Sequence, residues 1–139
     1  MSAQTATPET LVDCSKVIVR VSDIPGAGAG AYAACDIAEG ELVEKGLARV
    51  LTDLNGHVNP FVFTWSDDNP NTTWALASGC ATFYNTCADD AANTHMIRDF
   101  DKCTWEIRAT RDIKAGDELV HVYKSKRWRG CFKDALADV

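Results

Sequence analysis

One pattern occurs twice in this 139-residue chain and constrains its fold more than any other feature. Asp36-Ile-x-x-Gly40 and Asp112-Ile-x-x-Gly116 are each followed by acidic and then apolar residues. Each copy predicts a short strand, a tight turn closed by its glycine, and a returning strand. Two such hairpins in a short chain predict a mostly β body of small sheets. The pattern has only these two copies, which argues against a solenoid or a propeller.

The remaining segments fit one domain. Alternating residues predict strands over 16–21 and 104–109. Nearly half of the composition, 46%, is hydrophobic, which is enough for a chain of this length to bury a core without metal or disulfide staples. We expect a disordered N-terminal tail over residues 1–14, one domain over 15–130, and a short C-terminal tail over 131–139.

The run Gly79–Cys87, with the sequence GCATFYNTC, combines an apolar stretch with a polar end. Its middle part, residues 81–84, has the bulk and β-preference of a short buried strand. Asn85, Thr86 and Cys87 then offer side chains that form hydrogen bonds. Their partner is either the protein's own backbone or a ligand.

The segment Gly26–Ala31 has glycine at every second position. Such a segment lets the backbone take positive φ or come close to another group, as at a cofactor. It is neither a Walker loop nor a dinucleotide fingerprint, because no Gly-Lys-Ser/Thr and no long helix follows. A hairpin loop and a cofactor contact both remain open from this motif alone.

Charge and cysteine spacing exclude several classes. A net charge of −6 argues against direct nucleic-acid binding and is compatible with a basic peptide partner. The six cysteines form no C-x-x-C pair, so the sequence predicts no metal site. Neither a signal sequence nor an apolar run of membrane-spanning length is present, so we expect an intracellular protein, nuclear or cytoplasmic, without a membrane partner.

Three ordered segments resemble the SET domain of protein-lysine methyltransferases. They are Gly28–Glu41, Gly79–Cys87, and Ile107–Leu119 with Tyr123 beyond it. In its shortness the chain is similar to the minimal viral-type SET domains. The resemblance implies a β-clip fold of small curved sheets with few short helices, and a C-terminal pseudoknot in which the last segment threads under a loop.

The resemblance also implies S-adenosyl-L-methionine as cofactor and a target lysine that enters a narrow channel from the opposite face. It implies that Tyr123 is catalytic and orients the neutral amine. The residues expected to bind the cofactor are Gly28, Ala29, Gly30, Ala31, Asn85, Thr86 and Trp128. Those expected to line the substrate channel are Phe61, Tyr84 and Tyr123.

Such a site aligns the sulfonium methyl group with a desolvated, deprotonated lysine amine, so it requires neither a metal nor a strong acid. The implied function is methyl transfer to the ε-amine of a lysine in a basic protein tail, with a histone tail as first candidate. The family also allows a homodimer.

The chain departs from the family pattern at the polar corner of the GCATFYNTC run. Where the family usually reads Asn-His-Ser/Cys and then Pro-Asn, this chain has Asn85-Thr86-Cys87 and then Asp90-Ala91. Two other functions therefore stay open. One is a SET-fold module that binds peptides without catalysis, and the other is a SET-like protein that serves small-molecule chemistry.

Overall fold

The computed structural model describes residues 9–52, 54–57, 62–68, 72–86 and 91–121. Within these ranges the chain forms short strands and a 3₁₀ helix of three residues. In chain order the elements are β1 (Val17–Val21), β2 (Ala29–Ala33), β3 (Leu42–Leu51), β4 (Phe63–Thr64), β5 (Trp74–Ala77), the 3₁₀ helix (Ala81–Phe83), β6 (Asn85–Thr86), β7 (Thr94–Asp99), β8 (Thr104–Ala109) and β9 (Glu118–His121). The described part of the chain contains no helix with the length and apolar character needed to span a membrane.

The strands form two small sheets, which confirms the mostly β fold. One sheet has the order β1-β2-β9-β6 and the other has the order β4-β5-β3-β8-β7. The long strand β3 pairs with β8 through residues 42–47 and with β5 through residues 48–51. Its pairing with β8 is irregular between Leu42 and Glu44, and such an irregularity bends and twists a sheet.

The repeated Asp-Ile-x-x-Gly pattern does not form two hairpins, so that prediction is wrong. In each copy, the strand before the turn and the strand after it lie in different sheets. Strands pair between the copies instead: β2 with β9, and β3 with β8, all antiparallel. Each turn therefore carries the chain from one sheet to the other.

The two turns are held together by reciprocal hydrogen bonds. The backbone N–H groups of Ile37 and Ile113 each donate to the other residue's carbonyl at 2.8 Å. A carboxylate from each turn also accepts a backbone N–H from the opposite turn: Asp36 from Ala115 and Asp112 from Glu39, both at 2.9 Å. The partner of each turn is therefore the other copy of the same sequence pattern.

The GCATFYNTC run also differs from its prediction. Residues 81–83 form the 3₁₀ helix in place of a strand, and its closing hydrogen bond runs from Phe83 N–H to the Cys80 carbonyl at 2.9 Å. Gly79 has a left-handed φ of 68°, which turns the chain into this helix after β5. Only Asn85 and Thr86 are extended, as β6. The pattern was apolar enough for a strand, but a three-residue turn buries Ala81 equally well.

Other elements agree with the sequence. Strand β1 lies within the predicted range 16–21, and β8 matches 104–109. Strand β7 has no counterpart among the strands predicted from the sequence. In the predicted N-terminal tail, Asp13 forms an antiparallel bridge with Lys45 of β3. The core lies between the sheets and includes Val43, Trp105, Ile107, Ile113 and Leu119.

Candidate functional site

The glycine-rich segment is the turn and second strand of the β1–β2 hairpin. Gly26 and Gly28 both have φ of 77°, and Gly28 accepts a hydrogen bond from the Ser22 N–H at 2.7 Å. A side chain at either position would be strained, although the space around both is open. Gly28 and Ala29 are exposed residues. The segment is the hairpin loop of the sequence analysis, and its exposed residues are also accessible to a ligand.

Gly30 requires glycine for a different reason. A Cβ atom there would lie 2.5 Å from Glu118 Oε2 and 3.2 Å from Asn85 Nδ2. The side chains of β9 and β6 therefore cross directly over the backbone of β2. The motif and the polar corner, 55 residues apart in the sequence, meet at Gly30.

The Glu118 carboxylate is the centre of a polar cluster at this point. It accepts hydrogen bonds from Ser22 Oγ at 2.9 Å, Tyr32 OH at 3.1 Å and Asn85 Nδ2 at 2.9 Å. Asn85 Nδ2 also donates to the Ala29 carbonyl at 3.1 Å. Both protons of this amide nitrogen are thus used within the protein. No described residue donates a hydrogen bond to Asn85 Oδ1, so a ligand amine can do so.

Strand β9 is held beside this cluster by a parallel pairing and by a carboxamide. Asn85 and Thr86 of β6 pair with Val120 and His121 in parallel. The buried Asn93 side chain donates to the Glu118 carbonyl at 2.8 Å and accepts from the Val120 N–H at 2.9 Å. A carboxamide therefore holds β9 from Asn93, two residues after Ala91.

A buried layer lies behind the polar corner. The Tyr84 and His121 rings stack at 5.4 Å with an interplanar angle of 8°, and Tyr84 OH donates to Glu44 Oε1 at 2.8 Å. Glu44 Oε2 accepts the Cys80 N–H at 2.7 Å. Tyr84 and Glu44 are both 0% exposed, so they support the corner from the inside.

Burial determines the protonation of this layer. It raises the pKa of Glu44, and it raises the pKa of Tyr84 well above its usual value with help from the nearby Glu44 charge. Tyr84 is therefore a neutral hydroxyl donor. Burial also lowers the pKa of His121 to about 4, with the Arg98 charge adding to the effect. The stacked imidazole is neutral at physiological pH.

The structure brings together part of the predicted site. Residues 28–31 lie on β2 or just before it, and the Asn85 amide bonds Ala29 and lies against Gly30. Thr86 continues β6 alongside His121. Tyr84 lies in the core, and its role in a substrate channel stays a prediction. Phe61, Tyr123 and Trp128 lie outside the described residues.

Sequence reasoning missed five residues of this site: Ser22, Tyr32, Glu44, Asn93 and Glu118. A signal existed for Glu118, because it stands in the Asp-Glu-Leu stretch that ends the second repeat. Asn93 and Glu44 gave no signal, since an isolated amide and an isolated acid in alternating segments are ordinary. Their roles depend on contacts with segments distant in the sequence.

Comparison with protein families decides the classification. Residues 28–124 match the SET domain model, which is more than half of the chain. The chain belongs to the SET-domain family. The match begins at the glycine-rich segment and includes the polar corner and the second repeat. No curated protein matches the chain by sequence.

Solved SET-domain structures share the fold at low sequence identity. A candidate histone methyltransferase of Plasmodium falciparum has a TM-score of 0.60 and 16% identity, over 78% of this chain and 92% of that one. Polycomb Repressive Complex 2 of Chaetomium thermophilum, bound to S-adenosylmethionine in an autoinhibited conformation, has a TM-score of 0.60 and 20% identity, over 81% of this chain and 16% of that one. ATXR5 in complex with mono-methylated histone H3.1 has a TM-score of 0.59 and 18% identity, over 80% and 58%.

Proposed function

We propose that this SET-domain protein transfers a methyl group from S-adenosyl-L-methionine to the ε-amine of a lysine in a basic protein segment. The observation that carries the proposal is the meeting of Asn85 with the Gly28–Ala31 strand. The exposed residues Gly28 and Ala29 lie beside an amide oxygen that accepts no hydrogen bond from the described residues. Backbone carbonyls and an amide oxygen suit the amino group of a methionine-like ligand.

The residues present fit the cofactor in their chemistry. Residues 28–31 would hold its methionine part, and Asn85 with the backbone of Thr86 would hold its amino group and adenine. The bound cofactor supplies the electrophilic methyl group. The protein contributes alignment and a dry passage, and Tyr123 would orient the amine as the catalytic residue.

A histone tail is the first candidate substrate. Related SET structures include a complex with histone H3.1, and the net charge of −6 favours a lysine- and arginine-rich peptide over nucleic acid. The function implies an intracellular location, nuclear or cytoplasmic. A homodimer remains a further prediction, which the molecular mass in solution tests.

The decisive experiment measures cofactor binding and methyl transfer separately. Calorimetry with S-adenosylmethionine should show saturable binding, and labelled cofactor should mark a histone-tail peptide. Asn85→Ala should weaken cofactor binding by about 10-fold or more, because a lost buried hydrogen bond costs roughly 1–3 kcal/mol. Tyr123→Phe should abolish transfer and leave cofactor binding and the unfolding midpoint unchanged.

Asn55→Ala is the matched control, because Asn55 is an exposed amide in a turn and, among the described residues, its side chain accepts a hydrogen bond from the nearby His57 N–H. This variant should behave as wild type in both assays. Undiminished methylation by Tyr123→Phe would contradict the role of Tyr123. Wild-type cofactor affinity in folded Asn85→Ala would contradict the role of Asn85.

A peptide-binding module without catalysis is the second candidate, and one observation favours it. The Asn85 amide nitrogen donates both of its protons to Ala29 and Glu118, so it offers none to a cofactor. Binding of a histone-tail peptide by a protein that shows no S-adenosylmethionine binding at millimolar concentration would support this candidate over the enzyme.

A further inference from the structure

Two cysteines and a glutamate from three separate segments meet inside the protein. Cys14 follows the bridge that joins Asp13 to Lys45, Glu44 lies on β3, and Cys80 directly precedes the 3₁₀ helix. One ligand atom from each of the three lies within 4.8 Å of the other two. Glu44 is fully buried, while both cysteines are partly exposed, so an ion can reach the cluster from solvent.

The Glu44 carboxylate is a second, independent indication of a cation. It is 0% exposed, and no lysine, arginine or histidine of the described residues forms an ion pair with it. Buried carboxylates are normally paired with a cation or bound to a metal. Each oxygen accepts one protein hydrogen bond, from Tyr84 OH and from the Cys80 N–H, and retains a further lone pair.

The surroundings of Glu44 are also those of a metal ligand. Carboxylates that bind metals are held in orientation by hydrogen bonds from outside the coordination sphere. Here the hydroxyl of Tyr84, whose ring stacks on His121, fixes one oxygen, and the Cys80 N–H at the start of the 3₁₀ helix fixes the other. Gly79 keeps this approach open, because a Cβ there would lie 2.5 Å from Glu44 Oε2.

We propose that Cys14, Glu44 and Cys80 form a zinc site. Two sulfur ligands and one carboxylate suit Zn²⁺ better than Mg²⁺ or Ca²⁺, which prefer oxygen ligands only. Binding of one ion as two thiolates and one carboxylate releases the two thiol protons to solvent. A fourth tetrahedral position is left for water. The ion joins the N-terminal segment to β3 and to the segment that precedes the polar corner, independently of methyl transfer.

The test uses the full chain, freed of metal, kept anaerobic and reduced with a reductant that contains no thiol. Cobalt(II) titration should produce a thiolate-to-cobalt charge-transfer band that saturates at one ion per chain, and Zn²⁺ should displace the cobalt. Cys14→Ser and Cys80→Ser should each weaken zinc binding about 10-fold or more, measured by competition with a chromophoric chelator. Zinc should also raise the unfolding temperature of wild type.

Cys35→Ser is the matched control, because Cys35 is an exposed free cysteine outside the cluster, and it should bind zinc as wild type does. Cys14 lies before the first strand, so we expect Cys14→Ser to fold. This variant keeps the test valid if Cys80→Ser does not fold. The absence of a thiolate–cobalt band, or unchanged zinc affinity in folded Cys14→Ser, would overturn the site. A Cys14–Cys80 disulfide in air, without zinc binding by the reduced protein, would also overturn it. Each of these outcomes would overturn the zinc site without changing the results of the cofactor-binding and methylation assays.

Discussion

At the scale of single residues, the site is defined by polar side chains whose surroundings fix their protonation. His121 is 5% exposed, and its ring stacks on Tyr84, which donates to Glu44. The imidazole is therefore part of the core and supports the polar corner as a neutral ring. The lowered pKa of this imidazole should affect how the free energy of unfolding depends on pH.

We predict that the His121 environment reduces stability in acid. The folded protein holds the pKa of His121 at about 4, below the ordinary value of 6.5, so the unfolded chain binds the proton more tightly. Stability from this residue is complete above pH 6.5 and falls as the pH is lowered toward 4, at up to about 1.4 kcal/mol per pH unit. Denaturant unfolding at several pH values measures this slope.

His121→Phe should keep the stacked ring and lose this slope between pH 6.5 and 4. The raised pKa of Glu44 acts in the opposite direction, since the folded protein holds this proton more tightly than the unfolded chain does and stability from this group is lost as pH rises. Both proteins contain Glu44, so the difference in slope between wild type and His121→Phe does not include the Glu44 contribution. His95→Gln, at an exposed histidine of β7, is the control and should keep the wild-type slope. An unchanged slope in His121→Phe would contradict the prediction.

At the scale of elements, the two repeats act as one unit. A hairpin prediction treated each Asp-Ile-x-x-Gly copy as a self-contained turn, and the local turn chemistry was right: Gly40 and Gly116 have φ of 82° and 93°. The pairing was wrong, because local sequence does not specify which strand a departing strand will join. The pairing is determined by reciprocal backbone hydrogen bonds between Ile37 and Ile113. The carboxylates of Asp36 and Asp112 add to it, because each accepts a backbone N–H from the opposite turn.

We predict that Asp36→Ala and Asp112→Ala destabilise the fold by similar amounts. Each removes one acceptor from a backbone N–H of the opposite turn, which costs about 0.5–1.5 kcal/mol. The double variant should depart from the sum of the two losses, because both bonds belong to one hydrogen-bonded pair of turns. Equilibrium unfolding in urea measures all three. Asp101→Ala, at an exposed acid in the β7–β8 loop, should be neutral. A large loss in only one of the two variants would contradict reciprocal support.

At the scale of the whole molecule, curled sheets place β2, β6 and β9 next to one another at a single polar corner. The N-terminal segment, the 3₁₀ helix and β3 meet behind it. The chain as a whole carries a net charge of −6. Charge of this sign attracts basic partners over distances beyond direct contact, and salt screens the attraction.

We predict that affinity for a lysine- and arginine-rich histone-tail peptide falls as salt rises. Between roughly 0.05 M and 0.3 M salt the Debye length shortens by more than half, so the dissociation constant should rise several-fold. Fluorescence anisotropy of a labelled peptide measures it. A peptide with glutamine in place of the basic residues flanking the target lysine should lose this dependence. Salt-independent binding of the basic peptide would contradict an electrostatic contribution.

Much of the fold followed from the sequence, because it depends on local patterns. Period-two alternation located β1 and β8, and glycine in the repeats located the turns that link the sheets. The ordered motifs identified the SET family, which the match over residues 28–124 confirms. The short apolar run at 81–83 was misassigned, since such a run suits a buried strand and a buried turn equally.

The tertiary structure alone decided which distant residues meet. No local pattern relates Glu118 to Ser22, or Asn93 to Val120, because the members of each pair are 96 and 27 residues apart and meet only in the folded chain. The same reason applies to Cys14 and Cys80, whose 66-residue separation resembles no metal motif. For Asn85, the sequence determined the residue type and the polar corner. The fold determined that its amide nitrogen binds Ala29 and Glu118 while its oxygen accepts no hydrogen bond from the described residues.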